Sequence, residues 1–97
     1  MQARQEITCA ISIRQPYIEF ILRGMKKYEY RSRPTKIREH VYLYASLSPS
    51  KDKKAWKDVG KSLADLPVGV IVGSVEITGC KWDGHKGWYA YNLSSPK

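Results

Sequence analysis

The sequence predicts a small α+β domain with elements in the order β-α-β-β-α-β-β and a sheet that curls into a small β-barrel. Three observations carry this. The chain has 97 residues, enough for one hydrophobic core and one domain, taken as residues 1–97. Its apolar residues pass twice from alternation to helical spacing and back. Strands outnumber helices, and a small strand-rich domain hides its edges best by curling.

Taken in order, residues 6–13 alternate and are rich in β-branched types (Ile7, Thr8, Ile11, Ile13), the pattern of a first strand. Pro16 suits the first turn of a helix, where its missing N–H costs nothing. Tyr17, Ile18, Phe20, Ile21 and Leu22 supply apolar faces at helical spacing, and Gly24 fits the left-handed residue that ends a helix. The period then drops to two, with Tyr28 and Tyr30 facing one way and Lys27, Glu29 and Arg31 the other. Ser32-Arg33-Pro34-Thr35 breaks that strand. Residues 40–46 read as a third strand, with Val41, Leu43 and Ala45 on one side and Tyr42 and Tyr44 on the other. Ser48-Pro49-Ser50 opens a second helix, read to residue 63 from the spacing of Ala55, Trp56, Val59 and Leu63. Leu66-Pro67-Val68-Gly69 is a turn, and Val70 to Ile77 is a strongly apolar strand with Gly73 allowing a bend. Residues 81–87 read as a loop, and Trp88, Tyr89, Tyr91 and Leu93 as a last strand.

The net charge of +8, from 17 Lys and Arg against nine Asp and Glu, favours polyanionic partners. Arg23, Lys26, Lys27, Arg31, Arg33, Lys36 and Arg38 lie within sixteen residues, with Glu29 the one acid among them. No apolar run reaches the roughly 18 residues of a membrane helix, and the first residues lack the apolar centre of a signal peptide. A cytoplasmic protein is expected. Cys9 and Cys80 have no C-x-x-C spacing and read as small hydrophobes, and His40 and His85 have neither a nucleophile nor a ligand pattern beside them. No phosphate-cradling or dinucleotide motif is present, so neither a metal nor a cofactor is expected.

The chemistry concentrates in Gly24-Met25-Lys26-Lys27-Tyr28-Glu29-Tyr30-Arg31, read with Ile13-Arg14-Gln15-Pro16-Tyr17. A lone carboxylate among cations is held by them, and three roles stay open for Lys26 and Glu29. They form a proton-transfer pair, a scaffold for a bound ligand, or an ion pair that braces a cleft. Arg14, just before the first helix, suits a phosphate, and Gln15 either reads a base edge or serves the helix start. Seven Tyr and three Trp exceed what so small a core requires. Exposed aromatic rings beside cations hold single-stranded nucleic acid by stacking its bases. Tyr28, Tyr30, Trp82, Trp88 and Tyr91 are the candidates, each with core packing as the alternative role.

These residues resemble the ASCH domain of the PUA-like superfamily. The resemblance rests on Ile13-Arg14-Gln15-Pro16-Tyr17, the run Gly24-x-Lys26-x-x-Glu29-x-Arg31, Tyr44-Ala45-Ser46 and Pro67-Val68-Gly69-Val70-Ile71-Val72-Gly73, and it spans residues 8–93. It implies a PUA-like β-barrel with a helix at its mouth and a cleft lined by the Gly24–Arg31 segment, in a family proposed to bind RNA. Some small bacterial members resemble an amidohydrolase that deacylates N4-acetylcytidine, and others a ribonuclease. In the amidohydrolase-like members the segment reads K-T-x-T-x-R. Lys26 and Arg31 match its lysine and arginine, whereas Glu29 stands at the catalytic threonine and Lys27 at the first threonine. Close relatives usually continue past the position of residues 93–97 into a further strand, so either this sequence stops short of that strand or the barrel lacks it, which leaves an edge after Leu93 open to self-association.

The reading is therefore an RNA- or nucleotide-binding domain with a basic, aromatic-lined cleft. Its binding residues are Arg14, Gln15, Lys26, Glu29, Arg31, Arg33, Lys36, Tyr28, Trp88 and Tyr91. The alternative is a small hydrolase acting on RNA phosphodiesters or a nucleoside amide, with Lys26 and Glu29 catalytic.

Overall fold

The computed structural model describes residues 6–97. Five strands and two α-helices follow one another as β1 (Ala10–Ile13), α1 (Tyr17–Leu22), β2 (Tyr28–Arg31), β3 (His40–Ala45), α2 (Lys53–Val59), β4 (Ile71–Asp83) and β5 (Trp88–Ser94). A 3-10 helix, Leu63–Asp65, precedes β4. The strands form one mixed sheet in the order β1-β3-β4-β5-β2, with β1 parallel to β3 and every other pair antiparallel.

Hydrogen bonding leaves this sheet open rather than closed into the barrel expected from the sequence. The outermost strands, β1 and β2, have four residues each and no ladder joins them. Strands this short offer few backbone groups for closure, and a side chain spans the gap instead: Arg31 Nη2 on β2 donates to the Ser12 carbonyl on β1. The edge expected after Leu93 is also absent, because β5 lies between β4 and β2. Beyond β5, Lys97 and Ser74 exchange both backbone hydrogen bonds, at 2.9 and 3.1 Å, so the chain follows β4 further. Gly73 is required beside this pairing, since a Cβ there would collide with the Lys97 carbonyl oxygen and with Leu22 Cδ2.

The core lies between α1 and one face of the sheet. Ile18 and Ile21 of α1 meet Val41, Leu43 and Ala45 of β3, Val75 and Ile77 of β4, and Tyr91 and Leu93 of β5. Alternation along β3 and β5 puts these residues on one face, and fully burying each aliphatic side chain stabilises the fold by about 1.5–3 kcal/mol. Helix α1 ends in a Schellman turn. Gly24, at φ +75°, donates to the Ile21 carbonyl, and Met25 N–H reaches back to the Phe20 carbonyl at 2.9 Å. Lys26 N–H bonds to the same Phe20 oxygen at 3.1 Å, which fixes the backbone where Lys26 leaves the helix.

Helix α2 and strand β4 differ most from their sequence reading. Helix α2 is shorter at both ends. Asp52 caps it by accepting from Lys54 and Ala55 N–H, and Gly60, at φ +70°, ends it. Leu63, read as part of its apolar stripe, is 58 % exposed. Strand β4, in contrast, runs on through Lys81, Trp82 and Asp83, which read as loop. Pairing with Ala90, Tyr89 and Trp88 overrides their turn-like composition. The turn itself is confined to residues 84–87, where Asp83 Oδ1 accepts from His85 and Lys86 N–H at 3.1 Å each.

Candidate nucleic-acid interface

The gap between the two edge strands is a cleft of about 350 Å³. Ile13, Arg14 and Tyr17, from the end of β1 and the start of α1, form one wall; Lys26, Glu29 and Tyr30, from β2 and the residues leading into it, form the other. The missing ladder and the cleft are thus one feature.

Glu29 organises the second wall. Its side chain is 12 % exposed, and each of its oxygens meets a cation: Oε1 lies 3.6 Å from Lys26 Nζ, and Oε2 accepts from Arg31 Nε at 2.9 Å. Arg31, fastened as well to Ser12, braces the two edges. The Lys26 ammonium also lies 5.5 Å from the Tyr30 ring centre and 5.8 Å from that of Tyr17, within cation–π range of both. An ammonium has three N–H donors, and at 3.6 Å the Glu29 contact is an ion pair longer than a hydrogen bond. A basic group with unused donors between two aromatic rings suits an anion attached to a flat ring system.

Tyr17 owes its position to helix α2. Its hydroxyl donates to Asp52 Oδ2 at 2.9 Å, while Asp52 Oδ1 caps the helix. This hydrogen bond, followed by the bonds from Ala55 and Lys54 N–H, holds the Asp52 carboxyl below its ordinary value of 3.8.

Other residues singled out in the sequence fall elsewhere. Gln15 is 1 % exposed and turned inward. Its Nε2 donates to the Pro67 carbonyl at 3.0 Å and its Oε1 accepts from Glu19 N–H at 3.3 Å, so it ties the start of α1 to the turn before β4 and does not line the cleft. Tyr91 is 8 % exposed and its hydroxyl donates to the Arg33 carbonyl at 2.6 Å, which removes it as a stacking surface. Burial raises its phenol above the ordinary value of 10.0, with the neighbouring Cys80 adding to the effect. Arg33 and Lys36 are exposed in the segment after β2 and do not line the cleft. Tyr28 and Trp88 are each 47 % exposed, but outside it. Arg23 and Arg38 serve the fold. Arg23 bonds Glu19 and the Val59 carbonyl, and Arg38 the Thr35 and Ile37 carbonyls.

Two contributors escaped the sequence reading. Tyr17 passed for a helix-packing residue, although its place immediately after Pro16, beside Arg14, was the available signal. Lys86, in the β4–β5 turn, places its Nζ 5.0 Å from the Tyr30 ring centre, and no local pattern links those two positions. Among the described residues no three His, Cys, Asp or Glu side chains gather as metal ligands, and no helix is long and apolar enough to cross a membrane.

No curated protein matches the chain. The sequence model of the ASCH domain matches residues 11–94, which include all five strands and both helices except the first residue of β1. With that span covering most of its length, the chain belongs to the ASCH domain family.

Proposed function

We propose that the cleft between β1 and β2 binds single-stranded RNA, or a nucleotide-like part of it. The observation that carries this reading is the Lys26 ammonium, 3.6 Å from Glu29 and flanked by the Tyr17 and Tyr30 rings in an open cleft shared with Arg14. A phosphate takes the donors of Lys26 and Arg14, and a base stacks on Tyr17 or Tyr30. Glu29 acts as scaffold, because both of its oxygens already meet cations. Arg33 and Lys36, exposed beyond β2, add phosphate contacts outside the cleft. The RNA binding attributed to ASCH domains in general points the same way.

The test is the affinity of a labelled single-stranded RNA across a salt series. Each phosphate contact contributes a slope of about −0.7 in log K against log salt. Arg14→Ala is expected to weaken binding for all sequences alike and to flatten the slope by about that amount. An affinity that does not change with salt would overturn the reading.

The Lys26–Glu29 distance of 3.6 Å also favours a second reading, a hydrolase acting on an RNA phosphodiester or a nucleoside amide. Lys26 then stabilises charge developing on the attacked group, with Glu29 as its partner. Lys26→Ala should abolish turnover while the fold survives, and turnover retained in that variant excludes this reading.

A further inference from the structure

The sheet has a second surface. Register places Tyr28 opposite Asn92, Tyr30 opposite Ala90, Lys81 opposite Ala90 and Asp83 opposite Trp88, so these side chains share the face of β2, β5 and β4 directed away from the core. Tyr28 and Trp88 are 47 % exposed there, and the small residues Ala90 and Gly79 lie between the large ones. Beside them is a depression of about 350 Å³ lined by Tyr28, Lys81, Ala90 and Asn92 together with Trp82, Asp83 and Gly84. Exposed aromatic residues on a solvent-facing sheet have no packing role to explain them.

Tyr30 connects this face to the cleft. Its ring has Lys26 5.5 Å away in the cleft and Lys86 of the β4–β5 turn 5.0 Å away. The charge across the face is cationic, from Lys81 and Lys86. Two acids share the face: Glu76, paired with Ser94 at its far end from the β4–β5 turn, and Asp83, which spends Oδ1 on the His85 and Lys86 N–H groups of that turn. Alternating cations and rings that run from one surface to the next match a chain of phosphates and bases rather than a neutral protein surface.

We infer that the outer face of β2, β5 and β4 is a second subsite for single-stranded RNA, continuous with the cleft through Tyr30 and Lys86. The ligand is then a strand of several nucleotides and not a free nucleotide. Bases stack on Tyr28 and Trp88, and Lys81 and Lys86 follow the backbone. This rests on the cleft reading above and extends it.

The experiment compares a dinucleotide and a labelled decanucleotide of single-stranded RNA, each titrated against the wild type, Tyr28→Ala with Trp88→Ala, and Lys26→Ala. Both aromatic residues are about half exposed, so their removal leaves the core intact. Wild type should bind the decamer more tightly than the dinucleotide. The aromatic double variant should lose roughly tenfold or more for the decamer and nothing for the dinucleotide. Lys26→Ala should weaken both. Unchanged decamer affinity in the double variant, with Lys26→Ala still weakened, overturns the second subsite and leaves the cleft reading standing. Equal wild-type affinity for the two lengths does the same, as does a double variant altered in sedimentation but not in RNA affinity, which would make this face a protein contact. Failure of the wild type to bind either RNA overturns the cleft reading, and the second subsite with it.

Discussion

Strands β4 and β5 are 13 and 7 residues long and form a hairpin whose inner face carries Val75, Ile77, Tyr91 and Leu93 into the core, whereas β1 and β2 have four residues each and end the sheet on either side. The first region is held by backbone ladders and apolar burial. In the second, each strand has one short ladder, β1 to β3 and β2 to β5, and a few polar side chains hold the two sides of the gap: Arg31 across to Ser12, Glu29 between two cations, and Asp52 on Tyr17. A closed barrel would satisfy the edge strands but leave no gap between them. Holding the gap open with side chains keeps charged and aromatic groups accessible beside a core that does not depend on them. On the proposed reading, stability and binding are therefore separable in this molecule, and substitutions test that separation.

The largest effect is expected in the interior. Leu43, fully buried on β3, should cost about 3–5 kcal/mol when replaced by Ala, measured by urea unfolding, with RNA binding by the remaining folded protein unchanged. Gln15→Ala comes next, at about 2–3 kcal/mol, because it strips the Pro67 carbonyl and Glu19 N–H of their buried partner. A base-reading role would instead predict lost affinity at unchanged stability.

Gln15 also marks how far the sequence could be read. The strand and helix periods, the Gly24 helix end and the inward face of β3 follow from local pattern and appear as such in the structure. The cluster of Lys26, Glu29 and Arg31 was legible because the three lie on one short segment, with Glu29 and Arg31 two apart on a strand. What pattern could not supply was the fate of residues decided by distant partners. Gln15 is hydrogen-bonded to the carbonyl of Pro67, 52 positions away, and Tyr91 to that of Arg33, 58 positions away. Residues 81–83 became strand because β5 pairs with them, despite their turn-like composition. Open or closed sheet geometry depends on how far two edge strands extend, and the sequence reading set the first strand at residues 6–13 where β1 is Ala10–Ile13.

On the cleft side, Glu29→Ala should cost about 2 kcal/mol, below the ~3–5 of a fully buried pair because Lys26 and Arg31 stay partly solvated. It should also weaken RNA binding by releasing both cations from their positions, and this variant alone couples the two regions. Gly24→Ala is expected to cost about 1 kcal/mol, from the positive φ alone, since a Cβ at Gly24 meets nothing within 4 Å. Its unfolding midpoint should fall slightly.

The smallest effects concern pH. Asp52 has a folded-state pKa below its unfolded value, so its contribution is complete above the ordinary 3.8 and is lost as the pH falls through the lower folded value. Asp65, held low by the Ser62 N–H and hydroxyl, behaves alike. Asp52→Asn, which keeps the cap but cannot ionise, should flatten the acid limb of the stability profile. Tyr91 has the opposite sign: its contribution is intact below pH 10.0 and disappears as the pH rises through its higher folded value, with loss of the bond to Arg33. Tyr91→Phe should remove that alkaline dependence.

The most direct measurement pairs urea unfolding of Lys26→Ala with its affinity for single-stranded RNA across a salt series. Arg31 still neutralises Glu29 in this variant, so its stability is expected within about 1 kcal/mol of wild type. Its RNA affinity should fall, with a salt slope shallower by about 0.7. A variant equal to wild type in affinity and slope would contradict the account, because Lys26 would then meet no phosphate.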